Sequence, residues 1–100
     1  MTTAAATFAL PYEHVAASQT GQVLGTTGAT GDYLHRLVIT VGTAATSTVS
    51  ILDGATSHAL VKANTPIGVY SIEMNTFSKT GAWSVTTGAG AEVIAIGNFT

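Results

Sequence analysis

The chain has 100 residues, only 8% of them charged, and a formal net charge of -2. With three Lys and Arg residues it has no basic patch for a nucleic acid, and the lack of cysteine excludes disulfides, zinc–thiolate sites and thiol nucleophiles. No apolar run reaches the ~18 residues of a membrane span, and no basic start precedes an apolar stretch, so we expect neither a membrane span nor a signal peptide.

The first twenty residues differ from the rest because they contain no glycine and because Pro11 interrupts any helix. Apolar residues alternate there, as in an extended segment that lays them on one surface. The segment is either a first strand that completes its own core or an arm that docks on a neighbouring subunit. We divide the chain into an extended N-terminal arm (1–20) and a β-sandwich domain (21–100). The residues predicted to contact a partner are Thr7, Phe8, Leu10, Pro11 and Tyr12.

From Gly21 onward, eleven glycines divide the chain into short β-type segments. Strands that recur every eight to twelve residues, with turn signals between them, are typical of an all-β sandwich or barrel. We expect seven or eight short antiparallel strands and no helix after residue 20.

The strongest predicted strand covers residues 33–41. Its alternation would place Tyr33, His35, Leu37, Ile39 and Val41 on one face, and its two partly apolar faces indicate a central strand. Residues 48–52 form the next predicted strand, which ends in the turn signal Asp53-Gly54. A short strand follows over residues 59–63.

The last third of the chain alternates clearly. In residues 68–75 we expect Tyr70, Ile72 and Met74 to point inward while Ser71 and Glu73 face solvent. A turn at residues 79–81 precedes a strand that buries Trp83 and Val85. Residues 88–90 turn again, and residues 92–99 form the closing strand.

Three groups of residues resemble catalytic or metal sites, but none has a specific spacing. His14, His35 and His58 lie in three separate segments, without the close spacing of a metal site. Two carboxylate pairs suggest glycoside hydrolysis, namely Asp53 with Glu73 and Asp32 with Glu92. Both aspartates lie in turn contexts, where Asp caps backbone N–H groups. We therefore predict no catalytic residue, no metal, no cofactor and no enzyme activity.

Two further features have a structural and a functional interpretation. The glycine-rich residues 25–31 resemble a phosphate-binding loop, yet they lack the terminal Lys and no helix follows, so a turn before a strand is the better interpretation. Trp83 and the tyrosines suit a sugar-stacking platform, but Trp83 alternates in phase with Val85, which favours a buried ring.

The scarcity of charge also has two interpretations. An ordinary soluble domain is about a quarter charged, and charge keeps free proteins apart in solution. The surface is either a neutral, Thr-rich sheet surface or one that partners cover in a large assembly. The absence of cysteine points to folding in a reducing cytoplasm.

Three runs of sequence share features with a known group of proteins, namely GDYLHRLVITVGTAATSTVSILDG at 31–54, PIGVYSIEMN at 66–75 and KTGAWSVTTGAGAEVIAIGNFT at 79–100. The features are a strand that ends in Gly-Thr-Ala-Ala, a strand closed by Asp-Gly, and the pattern Gly-x-Trp-x-Val-x-Thr-x-x-Gly-Ala. In these features the chain resembles small all-β virion proteins of tailed bacteriophages. The likeness covers residues 22–100 and leaves out the arm.

The resemblance implies a jelly-roll-like β-sandwich that decorates or cements a phage capsid. Such a protein is made in the host cytoplasm, sits on the capsid surface as a homotrimer or other homo-oligomer, and bridges adjacent major capsid protein subunits. The alternative is a carbohydrate- or receptor-binding module of a tail or fibre, which would use exposed Trp83, Tyr33 or Tyr70. No nucleic acid or membrane partner is expected.

Overall fold

The computed structural model describes residues 10–43 and 46–100. Within those residues there is no helix, and hence none long and apolar enough to cross a membrane. The eight strands are β1 (Tyr12–Val15), β2 (Gln22–Val23), β3 (Tyr33–Val41), β4 (Val49–Asp53), β5 (Thr56–Val61), β6 (Gly68–Phe77), β7 (Trp83–Thr86) and β8 (Ala91–Asn98).

The strands form two antiparallel four-stranded sheets. Sheet A has the order β1-β8-β3-β6 and sheet B the order β2-β7-β4-β5. The pairs β1–β8, β2–β7, β3–β6 and β4–β5 are hydrogen-bonded, and β3–β8 and β4–β7 join them into the two sheets. The all-β prediction and the expected number of strands are confirmed, and the arrangement is that of a β-sandwich.

One apolar core lies between the sheets. Sheet A contributes Leu37, Ile39 and Val93, and sheet B contributes Ile51 and Val85, all with at most 1% of their surface exposed. Burial of this kind is the main favourable term in folding. It explains why the strands of each sheet alternate between apolar inward and mixed outward positions.

The predicted faces of β3 are wrong at its start. Leu34 is buried together with Leu37, although the two lie three residues apart, and His35 and Arg36 are half-buried. The pairing register of β3 shifts between Leu34 and Arg36 against both neighbouring strands. Over this stretch β3 has one residue more than β8, and β6 has one residue more than β3. The shift reverses the phase of the alternation in β3, so Tyr33 and His35 do not share the face of Leu37. The central position of β3 is confirmed.

Strand β6 follows its prediction closely. Tyr70, Ile72 and Met74 pack against the core, and Ser71 and Glu73 are exposed. Trp83 and Val85 in β7 are buried, as expected, at 4% and 1% exposure.

Strand β5 begins earlier than the predicted residues 59–63. Asp53 pairs with Thr56 across a two-residue turn in which Gly54 has a φ of 61°. This confirms Asp53-Gly54 as a hairpin turn. Because the turn is so tight, the chain pairs again at Thr56.

Part of the predicted N-terminal arm belongs to sheet A. Residues 1–9 lie outside the described residues, so the contacts predicted for Thr7 and Phe8 are not seen. Residues 12–15 form β1, which pairs with β8 and places Val15 in the core. For these four residues the first-strand interpretation holds, and the docking of an arm on a partner stays a prediction.

Candidate functional site

The outer face of sheet A carries large apolar side chains. Tyr12 on β1, Val69 and Phe77 on β6, and Ile94 on β8 are 69%, 67%, 62% and 37% exposed. They are four of the seven large exposed hydrophobic residues in residues 10–43 and 46–100. We call this surface the sheet A face.

Strand pairing brings outward residues of sheet A together from distant parts of the sequence. One row across the sheet joins Tyr12, Ile96, Arg36 and Glu73. The next row joins His14, Ile94, Val38 and Ser71. Directly opposed residues in antiparallel strands lie ~5 Å apart. The outward apolar residues Tyr12, Ile96, Ile94 and Val38 therefore form one patch across β1, β8 and β3. Val69 and Phe77 lie apart from it, eight residues from each other along β6.

The charges of the sheet A face are paired with one another. Arg36 Nη2 lies 2.8 Å from Glu73 Oε1, and His14 Nε2 lies 2.7 Å from Glu92 Oε1. Both pairs are well exposed, so each contributes little to stability. The Arg36–Glu73 pair carries no net charge, and His14 lies within hydrogen-bonding distance of Glu92.

An aromatic and polar cluster lies at one end of the same face. The Tyr33 hydroxyl donates to Asn75 Oδ1 at 3.0 Å, and the Tyr33 ring centroid is 5.3 Å from that of Phe77. His35 Nδ1 lies 3.3 Å from the same hydroxyl. His35 therefore packs against Tyr33.

The outer face of sheet B has a different composition. Its rows place Ser50 beside Thr86 and Ala59, and Leu52 beside Ser84 and Ser57. Small hydroxyl side chains therefore cover most of this surface, with Leu52 and Val23 as its larger apolar members.

Strand β6 is both the longest strand and an edge of sheet A. Residues of a strand direct their N–H and C=O groups alternately to the two sides. Ser78 N donates to Asp32 O at 3.1 Å. The backbone N–H and C=O groups of the even-numbered residues of β6 therefore point toward β3. The odd-numbered residues therefore present their backbone groups at the free edge.

A groove of about 670 Å³ runs beside this edge. Residues 60–62 and 65 line one side of it, and residues 69–72 line the other. Tyr70 and Ile72 point into the sandwich there but are only half-buried, because β5 does not cover them fully.

Of the five residues predicted to contact a partner, three can be described. Leu10 is 36% exposed, Pro11 is exposed, and Tyr12 lies on the sheet A face. The carbonyl of Pro11 accepts a hydrogen bond from Gly97 N at 3.1 Å. Sequence reasoning missed Ile94, since only the pairing of β1 with β8 places it beside Tyr12, and it missed the exposure of Val69 and Phe77 on β6.

The three histidines are not brought together. His14 pairs with Glu92 on sheet A, His35 packs on Tyr33, and His58 is exposed on β5 of sheet B. Among the residues that the structure describes, no three His, Asp or Glu side chains lie close enough to hold a metal ion.

Both turn aspartates hold loops together. Asp53 accepts from Lys79 N at 2.9 Å and Thr80 N at 3.0 Å, and so ties the β4–β5 turn to the loop before β7. The backbone N–H of Thr80 is the main cause of the lowered pKa of Asp53, with further bonds from Lys79, Gly81 and the Thr80 hydroxyl, while slight burial opposes them. Glu73, its suggested catalytic partner, is paired with Arg36 instead.

Asp32 is buried and binds the end of the chain. It accepts from Ala29 N at 3.1 Å and Thr100 N at 3.0 Å, and it bonds the Thr100 hydroxyl. The capping role predicted for both turn aspartates thus extends to partners far away in sequence.

The glycine-rich loop also binds this chain. Thr27 N and Gly28 N donate to Thr100 O at 2.9 and 3.2 Å. Gly25, with a φ of 92°, approaches so closely that an added Cβ would lie 2.7 Å from Thr100 O. The turn interpretation is confirmed, with the C-terminal residue as the group that the loop holds.

Trp83 does not offer its ring to a ligand. It is 4% exposed, and its Nε1 donates to Asp32 O at 2.8 Å. Tyr70 donates its hydroxyl to Pro66 O at 2.7 Å. Of the three aromatic residues suggested for sugar stacking, Tyr33 is the one that lies on an outer face.

Comparisons with models of known protein families, with curated proteins and with solved structures found no match to this chain.

Proposed function

We propose that this protein is a structural component of a tailed-bacteriophage virion, a decoration or cement protein on the capsid surface. In this role the sheet A face binds the major capsid protein and bridges adjacent subunits, and copies of the chain also contact one another. The sequence resemblance over residues 22–100 supports the virion assignment.

We further propose that the sandwich is a jelly roll. In a jelly roll, a long antiparallel ribbon of strand pairs is rolled into two sheets. The pairs of this ribbon would be β1–β8, β2–β7, β3–β6 and β4–β5, and all four are hydrogen-bonded neighbours here. Two-sheet folds of this kind are common in viral capsid and lectin domains, so the strand order supports the proposal without fixing a function.

The observation that carries the functional proposal is the sheet A face. An apolar surface of neighbouring side chains on a small protein indicates a binding site for another protein. Tyr12, Ile96, Ile94 and Val38 provide that surface on adjacent strands, and the Arg36–Glu73 ion pair lies beside it. Many weak copies on one shell bind together far more strongly than one copy does.

The test uses capsids assembled without this protein, to which purified chains are added. Ile94→Glu places a charge on the sheet A face, whereas Val23→Glu places the same charge on the sheet B side. The two residues are matched, at 37% and 42% exposure. We expect Ile94→Glu to weaken co-sedimentation with capsids at least ~10-fold and Val23→Glu to leave it unchanged.

Equal binding by both variants would remove the sheet A face from the proposal. Failure of the unaltered chain to sediment with capsids would overturn the capsid role itself.

A carbohydrate- or receptor-binding module is the second candidate, because Tyr33 and Phe77 place two aromatic rings beside the Asn75 amide. Rings of this kind stack on sugars while amides bind their hydroxyl groups. NMR titration with glycans, followed at Tyr33 and Phe77, separates this candidate from the first.

A further inference from the structure

We propose that the edge of β6 and the groove beside it bind the N-terminal segment, residues 1–9, of a second copy of this chain. The bound segment would add a fifth strand to sheet A. This inference concerns contacts between copies and holds whether or not the copies sit on a capsid.

The first argument is the character of the edge. Proteins usually keep edge strands short or interrupt them, because free backbone groups pair readily with other chains. The other edge of sheet A, β1, has four residues, and β2 and β5 in sheet B have two and six. Strand β6 has ten and alternates regularly throughout. Its free edge is therefore the longest template for strand addition in the described part of the molecule.

The second argument is the groove. An added strand would direct every second side chain inward, beside the half-buried Tyr70 and Ile72 and opposite residues 60–62. Apart from Lys62, the groove lining is uncharged. It thus suits small and apolar side chains.

The third argument is the composition of the segment. Residues 1–9 read MTTAAATFA, with no charged side chain, no proline and no glycine. In an extended strand the even positions present Thr2, Ala4, Ala6 and Phe8 on one face. These are the small side chains and the single large ring that a shallow apolar groove accepts, and strand addition by an extended peptide is a common mode of recognition.

The fourth argument, reach, favours a second copy over the same chain. The segment precedes β1, at the opposite edge of sheet A from β6, three strand spacings or ~14 Å away. Crossing the sheet would use about half of a segment that spans ~30 Å when extended. A segment from another copy can pair along its whole length.

Each copy then gives a segment from its β1 edge and receives one at its β6 edge. Such head-to-tail contacts are heterologous, and they close into rings when the rotation between copies allows it. The oligomeric state is therefore the quantity to measure.

The experiment is analytical ultracentrifugation of the full chain and four variants, with thermal melts to verify folding. Phe8→Asp changes the inward ring, and Ala9→Asp places the same charge on the opposite face of the segment. Ser71→Pro removes a backbone N–H at the free edge of β6 without removing a bond to β3. Ser57→Pro removes a backbone N–H at the free edge of β5. The backbone groups of Asp53 and Thr56 point toward each other, so those of Ser57 point away from β4.

We expect the full chain to associate and both Phe8→Asp and Ser71→Pro to weaken association more than ~10-fold, the loss expected for one buried ring or a broken strand pairing. The two controls should associate like the full chain. A monomeric full chain, or unchanged association of Phe8→Asp, would overturn the proposal. Loss of association in Ser71→Pro alone would instead indicate direct pairing between two β6 strands.

A second measurement covers the case in which Ser71→Pro does not fold. A synthetic peptide of residues 1–10 is added to labelled Phe8→Asp protein, whose own segment does not compete. NMR shift changes confined to β6 and residues 60–65 support the proposal, whereas changes elsewhere or none at all would refute it.

Discussion

The two outer faces of the molecule differ although the two sheets share one core. Sheet A presents Tyr12, Ile94, Val69 and Phe77, with its charged groups paired to each other. Sheet B presents mainly serine, threonine and alanine. An exposed apolar residue contributes little to folding, so the contrast between the two faces supports the proposal that the sheet A face binds a partner.

The largest expected effect tests whether the sheets really depend on one core. Leu37→Ala in sheet A and Ile51→Ala in sheet B each remove a fully buried side chain. Each should lower the free energy of unfolding by ~2–5 kcal/mol, as measured by urea denaturation. If one substitution lowered the free energy of unfolding and the other did not, the two sheets would not contribute equally to the stability of the core.

A smaller effect should come from the loops at the end of the sandwich. Hydrogen bonds, chiefly from Thr80 N–H, lower the pKa of Asp53 from its ordinary value of 3.8. A carboxyl with a lowered folded-state pKa stabilises the protein above its unfolded-state pKa, and this stability is lost as pH falls through the folded-state value. Asp53→Asn should therefore be less stable than the unaltered chain at pH 7, and the difference should shrink as pH falls below 3.8.

Urea denaturation of both proteins across this pH range measures the difference. Glu73→Gln is the control, because Glu73 is exposed and lies on the sheet A face. If the loss of stability in Asp53→Asn did not depend on pH, the hydrogen bonds between Asp53 and the loop before β7 would stabilise the fold without the charge of the carboxylate.

The smallest effect concerns the ion pair on the sheet A face. Arg36 and Glu73 are 37% and 61% exposed, so their coupling energy in a double-mutant cycle should be below ~1 kcal/mol and should fall with added salt. A much larger, salt-independent value would mean that the pair stabilises the fold rather than keeping the face neutral.

Sequence reasoning succeeded where local pattern decides structure. The alternation of residues 68–75 correctly placed Tyr70, Ile72 and Met74, and Asp53-Gly54 correctly marked a hairpin. It failed at the start of β3, where the bulge between Leu34 and Arg36 reverses the faces. A bulge depends on pairing with the neighbouring strands, so the residue pattern within one strand does not predict it.

The same limit applied to the candidate site. Tyr12 was among the predicted contact residues because it alternates with Phe8 and Leu10 along the chain. Ile94 carried no such signal because it lies between the apolar residues Val93 and Ala95, and Phe77 carried none because it lies singly among polar residues. They become part of one surface only when β8 lies between β1 and β3 and when β6 pairs with β3.

The sequence by itself determined the all-β class, the positions of most strands and turns, and the burial of Trp83, because turn residues and alternation act over a few neighbouring positions. The tertiary structure decided which strands are edges, which apolar residues share the sheet A face, and that Asp32 and the glycine-rich loop hold Thr100. These features depend on contacts between residues far apart in the chain, and only the pairing of the strands brings such residues together.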